Sequence, residues 1–370
     1  MTTNTSPENE VVANSYIPIN KGQFTLETPE REALFELYRG SDDPAGYLEY
    51  RRQWTAYAKE QHVSDYPLHV DIELASICNL KCPMCYTITP QFKEKVNAKL
   101  MDYNLFTKII DEIGDGKVYS IRLSLRGESF LHKRLLDCVR YAKEHGIKEV
   151  STLTNGVRLD EQMFQQIMEA GIDWITISFD GIGETYEKIR APAKFDRAVE
   201  KITNYQRIKK EAGRVKPVIK VQSILPALAD CLKEYYDIFA PITDMVSTNP
   251  LIDYLQKDDQ AKILYYENFS CPQLYQRLVI GADGLVMMCS NDEENEEPVG
   301  NAKLQTIHEI WRGPRLQAAR LSQKRHDGTK DYRICAKCYL PRKTEPAVLT
   351  VGTRDIKVEN YINRSQVIGT

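Results

Sequence analysis

The sequence predicts an α/β protein: a sheet of six parallel strands alternating with helices, with a helical extension in front and a small cysteine-bearing domain behind. Three observations carry this. Between His69 and Thr248, short apolar or alternating runs take turns with segments of helical period, the pattern of βαβ units. Several of these runs end in glycine and polar residues, at Arg126-Gly127-Glu128, Thr154-Asn155-Gly156 and Ser178-Phe179-Asp180-Gly181. Parallel sheets place their ligands at such carboxyl ends. Finally, seven of the nine cysteines fall into two constellations, Cys78, Cys82, Cys85 and Cys271, Cys289, Cys335, Cys338. Right-handed crossovers can curl such a sheet into a full or partial barrel or leave it open, and periodicity alone does not choose.

Taken in order, residues 1–66 form an extension, polar and disordered to about residue 27 and then helical. Thr28-Pro29 reads as an N-cap and first helical position, and Gly40 to Gly46 divides the helical stretch in two before Gln61. A packing cap on the sheet is its expected role, with substrate reception the alternative. Residues 67–265 hold the alternating part. A strand from His69 leads to the first cysteine loop, and a helix over Tyr103–Ile113 shows Leu105, Ile109 and Ile113 on one face. Strand Val118–Leu125, helix Leu131–Glu144, strand Glu149–Leu153 and a helix from the N-cap Asp160 to Glu169 follow. Strand Asp173–Phe179, helix Phe195–Lys210, strand Val218–Ile224, helix Leu228–Ala240 and strand Asp244–Thr248 complete it. In residues 266–345, Asp283-Gly284 sits between apolar runs as a hairpin turn, and Ile307–Trp311 reads as a short helix. Residues 346–370 read as a tail.

Composition excludes several classes. Of 370 residues 42% are hydrophobic and 27% charged, and the net charge is −3, so there is no basic footprint for nucleic acid. No apolar run is long enough for a membrane span, and residues 1–21 lack a signal peptide's apolar core, so a cytoplasmic protein without membrane contact is expected. Thiols there serve metals or packing more than disulfides.

Cys78, Cys82 and Cys85 occupy one short loop after a strand. Thiolates are soft ligands suited to iron–sulfur clusters, and three of them leave one iron of a four-iron cluster open for chemistry. A structural zinc site would want four closed ligands, usually in two short pairs. The second constellation offers four: Cys271, then Cys289 beyond the hairpin, then Cys335-Ala336-Lys337-Cys338. Zinc and a fully ligated cluster both remain open for it, although seventeen residues between Cys271 and Cys289 are wide for a zinc knuckle. Cys138 and Cys231 sit on helical faces among apolar residues and read as buried thiols, and His132, His145, His308 and His326, with Tyr254, Tyr265 and Tyr266, as scaffold.

The first loop resembles the cluster loop of the radical S-adenosylmethionine (radical SAM) superfamily. The resemblance spans roughly residues 67–345 and implies a partial (β/α)6 barrel. It further implies that Cys78, Cys82 and Cys85 hold a 4Fe–4S cluster whose open iron chelates SAM, which is cleaved to a 5′-deoxyadenosyl radical. The loop residues Met84 and Tyr86 then belong to the SAM site. Gly127-Glu128 resembles the family's Gly-Gly-Glu element, with Arg126 in place of the first glycine. The glutamate would hold SAM's amino group, and the glycine would let the methionine approach the backbone. Ser178 and Arg190 resemble residues that meet SAM's methionine portion and carboxylate, for which a planar guanidinium is suited. Cys271, Gly284, Cys289, Cys335 and Cys338 resemble the SPASM/Twitch extension, and no cysteine follows Cys338, which implies one auxiliary 4Fe–4S cluster. The implied activity is oxidation of a sugar or aminocyclitol alcohol, with the auxiliary cluster accepting the electron and a flavodoxin or ferredoxin supplying the first one. Epimerisation of a sugar or peptide residue, with Cys231 or a tyrosine as hydrogen donor, modification of a ribosomal peptide, and a zinc-containing binding protein are the alternatives.

Overall fold

The structure, a computed structural model, describes residues 24–250 and 260–362. Most of the polar lead, Tyr254 and the last eight residues of the tail lie outside the described residues. A two-residue strand β1 (Phe24–Thr25) precedes α1 (Pro29–Arg39) and α2 (Pro44–Glu60). The cap works as read: the Thr28 hydroxyl accepts from Arg31 N at 3.4 Å, and Asp43 caps the second helix by accepting from Gly46 N at 3.1 Å.

Strands and helices then alternate, with two helices in succession after the strands His69–Ile72 and Trp174–Ser178. The order runs β2 (His69–Ile72), α3 (Pro90–Lys95), α4 (Tyr103–Asp115), β3 (Ser120–Arg122), α5 (Leu135–Glu144), β4 (Glu149–Thr154), α6 (Glu161–Glu169) and β5 (Trp174–Ser178). Next come α7 (Gly183–Ile189), α8 (Phe195–Glu211), β6 (Val218–Ile224), α9 (Leu232–Phe239) and β7 (Met245–Asn249). Strands β2 to β7 pair in parallel and in chain order, so every crossover steps the same way round, as a barrel wall requires. The wall stays open, with β1 antiparallel to β7 at one edge. Outward-facing positions such as Val70, Ile121, Val150, Ile175, Ile219 and Val221 are fully buried under the helices. Polar positions alternate with them and face inward.

Several boundaries move. The second strand keeps only Ser120–Arg122 of the expected Val118–Leu125, because the chain bends toward the carboxyl end, where Ser129 Oγ bonds Leu123 O. The helix expected from Leu131 starts at Leu135, after a tight turn over Ser129–Leu131 capped by Glu128. Likewise Leu225–Ala227 makes a turn around Pro226, and the next helix starts at Leu232 rather than Leu228.

Beyond residue 265 come α10 (Gln273–Gln276), β8 (Arg277–Ile280), β9 (Leu285–Met287), β10 (Pro298–Asn301), α11 (Ile307–Trp311), α12 (Pro314–Ser322) and α13 (Arg333–Lys337). The expected hairpin is present, but it does not stand apart. Strand β8 pairs in parallel with β2, so the barrel and the cysteine-bearing part share one ten-stranded sheet. The tail expected after residue 345 is largely a hairpin, β11 (Thr344–Val351) and β12 (Arg354–Tyr361), turning at Gly352 with φ +64°. Its signal was present as two alternating runs around a glycine.

The front helices cover the amino ends of the strands. Phe35 meets Trp174 edge-on at 5.6 Å, and Trp54 meets His69 at 6.0 Å. Arg39 forks onto Glu149 at 2.9 and 3.1 Å. Trp174, His69 and Glu149 are each the first residue of a strand.

Candidate active site

The first cysteine loop leaves the carboxyl end of β2. Cys78 is exposed, Cys82 buried and Cys85 half-buried. Short local bonds shape the loop: Leu80 N donates to Cys78 Sγ at 3.4 Å, and Cys85 Sγ lies 3.1 Å from Thr87 Oγ1. From β4, Asn155 Nδ2 reaches Asn79 Oδ1 at 2.9 Å and Cys78 Sγ at 3.8 Å. Burial pushes the Cys82 thiol up to about 11 against the opposing pull of the Arg190 guanidinium, and Cys85, Asp180 and Cys78 also act on it. Three soft donors thus converge on one spot beside a cation, a donor set that fits an iron–sulfur cluster with one iron unsatisfied by protein.

Gly127 is required, for a reason the sequence did not show. Its φ is +60°, and an added Cβ would lie 2.4 Å from Ala75 O and 2.5 Å from Ile77 O. The glycine lets the β3 turn lie directly on the backbone of the cysteine loop, where Glu128 N donates to Ile77 O at 2.9 Å. Glu128 is buried and accepts from Phe130 N at 3.0 Å, Thr154 Oγ1 at 2.8 Å and Asn155 N at 2.7 Å. Two of these fall on Oε1 and one on Oε2, so Oε2 keeps a free lone pair. Burial holds the carboxyl above its usual range, opposed by those donors and by Arg190.

Ser178 ends β5 opposite Gln222 of β6. Arg190 follows α7 and directs Nε at Asp180 Oδ2, 2.8 Å away, with Nη2 on the same oxygen, while Asp180 Oδ1 takes Ile224 N at 2.9 Å. The aspartate fixes the arginine, and Nη1 is left over for a ligand. Met84 packs with Leu80, Cys82, Ile189 and Ala227. Tyr86 turns toward Arg126, Glu73 and Glu293 and meets Phe92 edge-on at 5.7 Å. The structure therefore gathers Cys78, Cys82, Cys85, Glu128 and Arg190, lines them with Met84, and sets Tyr86 to one side.

Arg126, the departure from the glycine pattern, has a structural partner. Its Nε and Nη2 bond the two carboxylate oxygens of Glu73 at 2.6 and 2.7 Å, with both side chains almost fully buried. Nη1 reaches across to Glu293 O at 3.0 Å and Asn295 Oδ1 at 2.9 Å, while Ala282 N donates to Glu73 at 2.9 Å. This ion pair ties the barrel to the segment around the second cysteine group.

That second group also converges. Cys289 is buried, and the other three thiols act on it. Burial pushes the thiols upward, Cys271 to about 12 and Cys338 to about 11. Gln323 and Asn291 hold the setting: Gln323 Oε1 accepts from Cys271 N at 2.8 Å, its Nε2 reaches Cys335 Sγ at 3.5 Å, and Asn291 Nδ2 reaches Cys338 Sγ at 3.1 Å. Such amide-to-sulfur bonds are what tune a thiolate-bound cluster. The four cysteines fit a cluster. Among the described residues, no three His, Cys, Asp or Glu side chains group as a single ion's ligands do.

Between the strand ends and the front helices lies a cavity of about 740 Å³. Arg39 and Trp54 line it at the helical end, Ser290 and Tyr339 toward the second cysteine group, and Thr176 and Gln222 along the barrel wall. Cys231, the hydrogen donor considered above, does not line this cavity; it half-faces a shallow surface depression at the start of α9.

Residues 72–218 match the family model of the radical SAM superfamily, and residues 271–339 that of the SPASM iron–sulfur cluster-binding domain. The Fe-coproporphyrin III synthase of Methanosarcina barkeri is 29% identical over 206 residues, 54% of this chain and 50% of that one. The tungsten-containing aldehyde ferredoxin oxidoreductase cofactor-modifying protein of Pyrococcus furiosus is 31% identical over 157 residues, 42% of each. The chain thus spans half or less of the length of these relatives. Among solved structures, BtrN in complex with AdoMet and 2-DOIA superposes with a TM-score of 0.51 at 18% identity, covering 73% of this chain and 92% of BtrN. SuiB of Streptococcus suis bound to S-adenosylmethionine gives 0.52 at 14%, covering 84% and 83%. These likenesses are of fold. No described helix is long and apolar enough to cross a membrane.

Proposed function

The chain belongs to the radical SAM superfamily and carries a SPASM domain, and from that premise we propose that it dehydrogenates a small, carbohydrate-like alcohol. The cluster and SAM supply, when bound, the one-electron chemistry that makes a hydrogen-abstracting radical. The rest falls to the chain's own residues. Cys78, Cys82 and Cys85 would hold the SAM-binding cluster, with Glu128 Oε2 and Arg190 Nη1 placed for the amino and carboxylate groups of SAM. Cys271, Cys289, Cys335 and Cys338 would hold one auxiliary cluster. Four thiolates leave it no open iron, which suits an electron acceptor better than a substrate site.

The observation that carries the small-substrate reading is the cavity. Its volume of about 740 Å³ falls in the usual range for small-molecule sites. The cavity lies behind the α1–α2 cap, and its wall residue Gln222 stands in register with Ser178. A substrate there would approach SAM from inside the barrel, beside the row that Gln222 shares with Ser178. For the substrate, loss of one hydrogen atom, one proton and one electron would balance as a two-electron oxidation, the hydrogen atom being taken at the site of Cys78, Cys82 and Cys85, the electron at the site of Cys271, Cys289, Cys335 and Cys338, and the proton by solvent. A flavodoxin- or ferredoxin-type donor in the cytoplasm would supply the initiating electron.

Epimerisation is the rival that shares the first step. It needs a hydrogen donor in the cavity; Cys231 is not there, whereas the tyrosines Tyr50 and Tyr339 line it. Turnover in deuterated water separates the two. Dehydrogenation gives a product lighter by two hydrogens, whereas a product of unchanged redox level carrying one solvent deuterium would overturn the proposal.

A further inference from the structure

Lys220 lies on the inward face of β6 and lines the cavity, and only 4% of it is exposed. Among the described residues it forms no ion pair or hydrogen bond, and its Nζ lies 5.7 Å from the centroid of the Trp174 ring. A lysine buried without a partner is rare, because a desolvated ammonium is costly unless something compensates it.

The surroundings offer no such compensation. Glu149 is taken by both arms of Arg39. Asp71 is shared between Arg122 at 2.8 Å and Arg277 at 3.1 Å, so one carboxylate answers two guanidinium groups. Around the same cavity, the indole N–H groups of Trp54 and Trp174 and the Nε–H of Arg277 have no acceptor among the described residues. Burial drives the lysine's proton affinity down, and Arg39 and Arg122 add to the effect, with no carboxylate acting the other way. Asn249 Oδ1 is an unpaired acceptor in the same cavity, and Glu32 and Glu36 line its helical end, Glu36 beside Arg39 and Arg51, so among the described residues the interior is richer in donors and positive charge than in uncommitted carboxylate.

Resting on the reading of this cavity as the substrate chamber, we infer that Lys220 is a specificity-determining residue that receives an anionic group of the substrate, a carboxylate or a phosphate. Lys220 precedes Gln222 by two residues on the same face, which places it about 7 Å further from the carboxyl end than the row shared with Ser178. A ligand anchored there by its anion would extend toward SAM across roughly the width of one sugar ring. Thr176 and Ser247, which line the same wall, supply neutral partners for hydroxyl groups.

Two of the cavity-lining side chains are tryptophans, so occupancy can be read from intrinsic fluorescence. Reconstituted holoenzyme is titrated anaerobically, with SAM present, against D-glucuronate, glucose 6-phosphate and glucose. At least one of the two anionic sugars is expected to bind at least tenfold more tightly than glucose, and which of them does so separates carboxylate from phosphate. Lys220→Met is expected to bring that sugar to the level of glucose, and Lys220→Arg to retain most of the preference. Neither anion being preferred, or a preference that survives Lys220→Met, would overturn the assignment. Reductive SAM cleavage by the wild-type preparation is followed in parallel. Its absence would count against the radical SAM reading, whereas cleavage without an anion preference counts against Lys220 alone.

Discussion

Replacing Arg126 with Met should damage the protein more than any surface charge would. Among the described residues, the substitution leaves the Glu73 carboxylate fully buried with two backbone donors, Ala282 N–H at 2.9 Å and residue 126 N–H at 3.3 Å. Breaking one side of a buried pair costs about 3–5 kcal/mol, chiefly through the stranded charge. It also removes the bonds from Nη1 to Glu293 O and Asn295 Oδ1, so the segment after Cys289 loses one of its ties to the barrel, the pairing of Lys95 with Glu294 and Glu296 remaining. The expected result is a melting midpoint lower by several degrees and a fall in bound iron, read by circular dichroism and iron assay on anaerobically reconstituted protein. The double variant Glu73→Met/Arg126→Met removes both charges together. It should recover about 1–3 kcal/mol relative to the sum of the two single losses. A single variant that melts with the wild type, or a double variant whose loss equals that sum, would refute the reasoning.

Two further predictions follow from particular atoms. Gly127→Ala forces an L-residue to φ +60° at a cost of about 1–2 kcal/mol and drives its Cβ against two carbonyl oxygens of the cysteine loop. It should reduce deoxyadenosine formation at least tenfold; full activity would contradict it. Lys220 is pushed down to about 7 from 10.5 by burial first, with Arg39 and Arg122 facing it. Between those values the unfolded chain holds a proton that the folded one lacks, so wild-type stability rises with pH across the window. Lys220→Met should therefore melt higher than the wild type at pH 6, with the advantage shrinking toward pH 10. An advantage that grows with pH would contradict the assignment.

The six parallel strands and the first cysteine loop were legible because they rest on local periodicity and short spacing, while the barrel order and the grouping of the four later cysteines on one cluster came with the family resemblance. What was lost depends on pairs distant in sequence. Nothing local to Arg126 names Glu73 as its partner, so it read as a defect in a glycine motif. Asp180 fixing Arg190 could be read only once α7 folded the arginine back over the strand end. Lys220 did leave a trace. In Val218–Ile224 the apolar Ile219 and Val221 alternate with Lys220 and Gln222. Within a barrel whose outer face meets helices, that polar side must face inward. The shared sheet was invisible because β8 pairs with β2 across some 200 residues.

The division between a three-thiolate and a four-thiolate site is tested most directly by cysteine replacement with iron counting and deoxyadenosine assay. Wild-type protein should hold about eight irons, two four-iron clusters, and cleave SAM under reduction. Replacing Cys78, Cys82 and Cys85 with Ala should leave about four irons and no deoxyadenosine. Replacing Cys335 and Cys338 should also leave about four irons, in a protein that still cleaves SAM but yields no oxidised product. Deoxyadenosine formed by the protein lacking Cys78, Cys82 and Cys85 would contradict the account.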